Sequence, residues 1–142
     1  MEYAAEVMIE APADLVWAIL TDAAGYTKWD SGVEKLEGEI GEGKKIKLFS
    51  KVNPGRAFPV KVAVVEPSRV MTWTGGMPFG LFKGVRTLTL LGTSPSQTSF
   101  TMREVFTGPM LGAVSKKMPD LQPSFDRFAS GLKAEAEARA AQ

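Results

Sequence analysis

Residues 7–29 constrain the fold more than any other stretch, because they read as a strand that runs straight into a short helix. Pro12 has no N–H to give to a strand ladder, but it fits the first turn of a helix, where that donor is not needed. Asp14 adds a negative charge that favours the same helix N-terminus. The apolar residues that follow form one dense helix face: Leu15, Val16, Trp17, Ile19 and Leu20. The chain therefore begins with one strand and a short amphipathic helix.

Period-two alternation of apolar and polar residues predicts seven strands in the first three quarters of the chain, and the strand before Pro12 is the first of them. The predicted strands are residues 3–10, 33–39, 45–52, 58–66, 70–74, 83–91 and 98–106. Two short helices fill residues 12–28. Gly41-Glu42-Gly43 and Asn53-Pro54-Gly55 are clear turn signals. Because most connections have hairpin length, we expect an antiparallel meander.

From Met110 onwards the apolar period changes to three or four residues, which indicates a helix with one buried face. Pro119 and Pro123 each remove a helical donor, so we expect a kink or a break near 118–123. The part beyond Pro123 would be roughly 25 Å long, enough to cross a curved sheet. The pattern predicts one α+β domain over residues 1–142: a seven-stranded antiparallel curved sheet wrapped around a long, kinked C-terminal helix, with two short helices after the first strand.

The composition narrows the possible functions. The chain has 142 residues, 17 basic and 16 acidic, so its net charge of +1 gives no global field for nucleic acid or an anionic membrane. It has no cysteine and no histidine, which excludes disulfides, thiolate nucleophiles, Ser-His arrangements and the commonest metal ligand. We expect no metal, no cofactor, no integral membrane contact, a cytoplasmic location, and a monomer or weak homodimer.

A series of short motifs extends over nearly the whole chain. In order they are Ala11-Pro12, Val16-Trp17, Leu20-Thr21-Asp22, Tyr26-Thr27-Lys28-Trp29-Asp30, Glu66-Pro67, Trp73-Thr74-Gly75, residues 84–90 and residues 104–108. Their order and spacing resemble the polyketide cyclase/dehydrase and lipid-transport families of the START-like, or SRPBCC, superfamily. The resemblance implies a helix-grip fold with an interior cavity. It implies no single activity, because one fold hosts many functions.

An arginine and a glutamate share the apolar faces of two neighbouring predicted strands. Arg86 alternates with Leu88, and Glu104 alternates with Met102. The turn between the strands is centred near Pro95, which places Arg86 and Glu104 opposite or diagonal to each other. We therefore predict an ion pair inside the cavity or at its rim. Three interpretations stay open: a structural pair, a pair that orients a polar ligand group, or a bulge that shifts the parity.

Aromatic and sulfur-containing residues are predicted to surround this pair. We expect Trp29 to pack at a cavity end, Asp30 to cap the following turn, and Trp73 to point inwards together with Met71. The methionines at 71, 77, 102, 110 and 118 suit either a promiscuous pocket or an ordinary core. The apolar loop 75–82 would either guard a ligand entrance or pack on the segment 110–118.

The predicted ligand-binding residues come from inward-facing strand positions, the apolar loop and the C-terminal helical stripe. They are Trp29, Leu48, Phe58, Val60, Val62, Met71, Trp73, Phe79, Phe82, Arg86, Leu88, Phe100, Met102, Glu104, Leu111, Val114, Met118 and Phe125. The preferred hypothesis is a non-catalytic carrier or sensor for a small hydrophobic or amphipathic molecule, such as a lipid, an aromatic compound or a polyketide. One alternative is a cyclase-, dehydratase- or hydrolase-like enzyme with Glu104 as acid or base beside Arg86. The other is a protein-interaction domain, which would need a large exposed apolar patch.

Overall fold

Alternation of apolar and polar residues produces one curved sheet in the computed structural model, which describes residues 1–51 and 55–142. Its seven antiparallel strands have the order β1-β7-β6-β5-β4-β3-β2. They are β1 (Glu2–Ile9), β2 (Val33–Glu37), β3 (Lys45–Ser50), β4 (Ala57–Glu66), β5 (Val70–Gly76), β6 (Lys83–Ser94) and β7 (Gln97–Thr107). The helices are α1 (Ala13–Thr21), α2 (Leu111–Ser115) and α3 (Gln122–Ala140), with 3-10 turns at Ala24–Thr27 and Pro78–Gly80. The predicted α+β helix-grip fold is confirmed.

Strands β2 to β7 form a meander, whereas β1 pairs with β7 and so brings the N-terminus beside the last strand. Pro12 ends the first strand segment as predicted, and its carbonyl accepts hydrogen bonds from the amides of Leu15 and Val16 in the first turn of α1. The predicted end of the third strand at Val52 and most of the turn predicted at 53–55 lie outside the described residues.

The C-terminal helical segment is broken rather than gently kinked. Helix α2 ends at Ser115 and α3 begins at Gln122, so two separate helices flank Pro119. Pro123 lies in the first turn of α3, where its missing N–H costs nothing. The two prolines therefore end one helix and start the next.

Helix α3 packs against the curved sheet, and its backbone lies closest to β1, α1 and β7. Its buried face comprises Phe125, Phe128, Ala129, Leu132 and Ala136. A side chain at Gly131 would overlap the backbone carbonyl of Asp30, so this glycine allows the helix to approach the segment before β2. Among the described residues, no helix is long and apolar enough to span a membrane.

Candidate ligand-binding site

The predicted ion pair between Arg86 and Glu104 is confirmed. The two residues are direct partners in the β6–β7 register, and the Nε–Oε1 distance is 2.8 Å. Their side chains are only 17% and 14% exposed. The irregularity in this hairpin lies between Gly92 and Ser94, near the turn, so it does not change the parity at Arg86. The pair therefore lies on the concave face, largely withdrawn from bulk water.

Two neighbouring residues, Phe125 and Gly84, shape the space around the pair. The Arg86 guanidinium lies 4.9 Å from the centroid of the Phe125 ring on α3, a cation–π distance. A Cβ atom at Gly84 would come within 2.7 Å of the Glu104 carboxylate and within 2.9 Å of the Phe106 ring. Glycine at this position therefore leaves the room that the carboxylate occupies.

An aromatic cluster lies beside the pair. The ring centroid of Tyr26 is 5.3 Å from Trp29, 6.1 Å from Trp73 and 6.1 Å from Phe128. Trp73 is also the direct β5–β6 partner of Arg86, so the cluster and the ion pair adjoin. Aromatic pairs at such separations stabilise a core beyond their area alone.

The Tyr26 hydroxyl has a structural role in this cluster. It is completely buried and donates a hydrogen bond of 2.6 Å to the Leu20 carbonyl. Burial raises the pKa of Tyr26 well above its ordinary value, although the nearby Arg86 charge opposes that shift. Tyr26 is therefore a neutral donor with its hydroxyl already committed, and it is poorly suited to act as a base.

Two buried indole N–H groups have no acceptor in the part of the chain that the structure describes. They belong to Trp29 and Trp73, whose residues are 8% and 2% exposed. A buried donor without a partner costs about 1–3 kcal/mol, so each such group calls for an explanation. The sequence pointed to both tryptophans, but it could not show that their donors are unpaired, because that depends on which carbonyls the fold brings near.

The other predicted ligand-binding residues fall into two groups by burial. Val62, Met71, Leu88, Phe100, Met102 and Phe125 are at most 1% exposed, and Phe82 is 8% exposed, so these positions are packed core. Leu48, Phe58, Val60, Leu111, Val114 and Met118 are half-buried. Helix α2, which carries two of the half-buried residues, makes few close backbone contacts with the strands or with α3. The half-buried group is the part that a ligand could contact without displacing the core.

Phe79 stands apart from both groups. It lies in the loop between β5 and β6 with 99% of its surface exposed. The loop is attached to the segment before α2 by a hydrogen bond of 2.8 Å from the Met110 amide to the Leu81 carbonyl. Of the methionines, Met71 and Met102 belong to the core, whereas Met77 and Met110 are exposed near this loop.

The capping role predicted for Asp30 is wrong. Its carboxylate accepts a hydrogen bond of 2.6 Å from Nε of Arg127 on α3. The adjacent Ser31 makes the turn bonds instead: its hydroxyl donates to the Tyr26 carbonyl and accepts from the Val33 amide. Sequence reasoning could not anticipate this, because Arg127 comes close only when α3 crosses the sheet.

Metal binding has no support in the geometry. Among residues 1–51 and 55–142, no group of three or more His, Cys, Asp or Glu side chains is placed to hold a metal ion. The polar groups of the site are instead one guanidinium, one carboxylate and two indole donors.

Comparison with known proteins agrees with this fold. The family model described as polyketide cyclase / dehydrase and lipid transport matches residues 2–137. The chain belongs to this family. The search of curated proteins gave no match.

Solved structures share the fold of this family member. The Zhui aromatase/cyclase from Streptomyces sp. R1128 matches with a TM-score of 0.74 and 21% identity, over 98% of this chain and 94% of that one. Hypothetical protein jhp0584 from Helicobacter pylori matches with a TM-score of 0.76 and 14% identity, over 96% and 88%. A START superfamily protein from Mycobacterium smegmatis matches with a TM-score of 0.69 and 14% identity, over 97% and 98%. At these identities the likeness concerns the fold alone.

Proposed function

We propose that this protein binds a small amphipathic molecule, such as a lipid, an aromatic compound or a polyketide, and acts as its carrier or sensor. The observation that carries the proposal is the pair of unpaired indole donors on Trp29 and Trp73 beside the Arg86–Glu104 ion pair. A ligand with an acceptor oxygen would satisfy a donor that otherwise remains costly. The family description, which includes lipid transport, supports the same class of ligand.

Other side chains of the domain fit the apolar part of such a ligand. Half-buried side chains lie on β3, β4 and α2, and they include Leu48, Phe58, Val60 and Val114. Small-molecule sites are typically apolar with a few polar groups that fix orientation. In this proposal Arg86 and an indole donor hold the oxygen-bearing end, and the half-buried residues contact the apolar body. We place the carrier in the cytoplasm on the strength of its cysteine-free sequence, and we expect it to be a monomer or weak homodimer.

The test compares two probes of similar ring size, 1,8-dihydroxyanthraquinone and anthracene, by isothermal titration calorimetry. We expect tighter binding of the quinone, and a loss of about tenfold in Arg86→Met, since one hydrogen bond to a charged group is worth about 1.5–3 kcal/mol. Trp73→Phe should weaken quinone binding and leave the anthracene affinity less affected. Trp17→Phe on α1 is the matched control and should change neither. Equal affinities for both probes in all variants would refute the proposal.

The alternative is catalysis at the same site, as the cyclase and dehydrase part of the family description allows. Glu104 would act as acid or base, but its carboxylate is already engaged by Arg86 at 2.8 Å, which favours binding over proton transfer. Turnover of a polyketide or ester that disappears in Glu104→Gln, while quinone binding persists, would establish the enzyme and displace the carrier.

A further inference from the structure

The chain is nearly neutral as a whole, but its charges are unevenly distributed. Residues 67–119 carry six basic side chains and a single acidic one, Glu104, which its partner on β6 neutralises. Three of the basic residues, Lys83, Lys116 and Lys117, are exposed and have no acidic partner within 4 Å among the described residues. Arg69 and Arg103 are paired with Glu66 and Glu2, so the uncompensated positive charge of this segment lies on the three lysines.

Exposed apolar side chains occupy the same part of the molecule. The β5–β6 loop presents Met77, Phe79 and Leu81, which are 41%, 99% and 39% exposed, and Met110 beside it is 38% exposed. We call these four residues the apolar tip. A phenylalanine with almost its whole surface in water is unusual enough to need a reason, since full burial of such a side chain favours partition out of water by about tenfold to a hundredfold.

The backbone holds the apolar tip in an unfavourable conformation. Phe79 has φ +61°, in the left-handed region that non-glycine residues rarely adopt. Hydrogen bonds from the Met77 amide to the Phe82 carbonyl, 2.7 Å, and from the Met110 amide to the Leu81 carbonyl, 2.8 Å, close the loop on both sides. Backbone strain of this kind tends to persist at binding sites, where the surrounding structure maintains it.

The lysines lie close to the apolar tip along the chain. Lys83 follows it by two residues and begins β6. Lys116 and Lys117 come at the end of α2, about 10 Å along the helix from Met110. A groove of about 460 Å³ adjoins the tip and is lined by Met77, Gly80, Lys83 and two further lysines, Lys45 and Lys61, which are directly opposite each other on β3 and β4. Like charges in that register repel unless an anion lies between them.

We propose that this surface docks on an anionic lipid bilayer, with the Phe79 ring inserted between head groups and the lysines facing their negative charges. Aromatic and aliphatic side chains flanked by lysine are the combination that binds membrane interfaces. Each lysine near an anionic surface adds roughly fivefold to the affinity. The lysines indicate an anionic bilayer rather than a neutral one. A neutral membrane surface would bury the apolar tip but would leave the lysine charges without partners. This contact is peripheral and goes beyond the proposed ligand binding, on which it does not depend.

The test measures binding of the full chain to vesicles of phosphatidylcholine alone and of equimolar phosphatidylcholine and phosphatidylglycerol, by flotation. We expect binding to the anionic vesicles that weakens as salt is raised. Phe79→Gly should lower the partition coefficient about tenfold. Glycine adopts this φ without strain, which offsets its larger conformational entropy in the unfolded chain, and the exposed Phe79 ring contributes no packing. The variant should therefore stay folded, so misfolding cannot explain the loss. The combined variant Lys83→Gln, Lys116→Gln, Lys117→Gln should lose binding to a similar or larger extent.

Two control variants remove the same chemistry elsewhere. Leu91 is 64% exposed and lies on β6 about 25 Å from Lys83, so Leu91→Ser should bind vesicles like the wild type. Arg69→Gln removes a positive charge at the opposite end of β5 and should have little effect on vesicle binding.

In a Phe79→Trp variant, we expect the fluorescence emission of the new tryptophan to shift to the blue with anionic vesicles.

Three outcomes would overturn the proposal. The first is no binding of the wild type to anionic vesicles at low salt. The second is binding that Phe79→Gly and Leu91→Ser lower equally, which would indicate non-specific adsorption. The third is concentration-dependent self-association in sedimentation velocity that Phe79→Gly abolishes, with no vesicle binding, which would assign the apolar tip to a second copy of this chain.

Discussion

The Arg86–Glu104 pair offers the sharpest test of the structure. Replacing Arg86 by Met leaves the Glu104 carboxylate, 14% exposed, without its partner. Removing one member of a buried pair costs about 3–5 kcal/mol, and the residual exposure here lets water recover part of it, so we expect about 2–4 kcal/mol. Glu104→Met should cost a similar amount, because it leaves the Arg86 charge, 17% exposed, unpaired. For a chain of this length each kcal/mol lowers Tm by about 3–4 °C.

The double variant Arg86→Met, Glu104→Met should be much less destabilised than the two single variants together. Two methionines of similar volume remove both charges and retain contact with Phe125, so the net loss should stay within about 1 kcal/mol. The coupling energy, obtained from urea unfolding followed by tryptophan fluorescence, is then about 3 kcal/mol or more.

The neighbouring pair Arg103–Glu2 is the matched control, because Arg103 precedes Glu104 on β7 but faces the other side of the sheet. Its side chains are 56% and 46% exposed, so the same set of two single variants and one double variant should give a coupling energy near the error of the measurement. If the two cycles give equal couplings, or if the interior double variant loses the sum of its single variants, the placement of Arg86 and Glu104 on a water-poor face is refuted.

Two further predictions concern the framework of the site. Gly131→Ala should destabilise the protein by about 1–3 kcal/mol in urea unfolding, because the added methyl group would overlap a backbone carbonyl. This is opposite to the usual preference of helices for alanine over glycine. As a control, the methyl group of Gly112→Ala on α2 would meet nothing within 4 Å, so this variant should be neutral or slightly more stable. If both variants change the free energy of unfolding in the same direction, the close approach of α3 to Asp30 is refuted. For Tyr26, burial raises the pKa in the folded state above the ordinary value near 10. The contribution of Tyr26 to the free energy of unfolding is therefore complete below pH 10 and falls by about 1.4 kcal/mol per pH unit above it. The stability difference between wild type and Tyr26→Phe should therefore narrow above pH 10, and a constant difference would contradict the burial of the hydroxyl.

Local sequence signals were sufficient for the elements and for the ion pair. Alternation alone placed Arg86 and Glu104 on the inner faces of their strands, because side chains two residues apart in a strand point the same way. The hairpin turn narrowed their register to opposite or diagonal, and the structure shows that they are directly opposite. Pro119 and Pro123 likewise marked the end of one helix and the start of another, since the missing N–H acts within a single turn.

Contacts between residues far apart in the sequence could not be predicted from local patterns. The partner of Asp30 is Arg127, 97 residues away, and the pairing exists only because α3 crosses the sheet near that point. The exposure of Phe79 is a similar case: an apolar loop residue could equally have folded inwards, and its backbone conformation decides that it does not.

The sequence by itself therefore determined the strand-and-helix order, the inward parity of the charged pair and the absence of histidine and cysteine chemistry, because these depend on composition and on neighbours along the chain. Tertiary structure alone decided which buried donors find an acceptor, which predicted lining residues became solid core, and where unpaired lysines gather beside exposed apolar side chains. Those features depend on distances between segments far apart in sequence, and packing sets them only when the whole chain is folded.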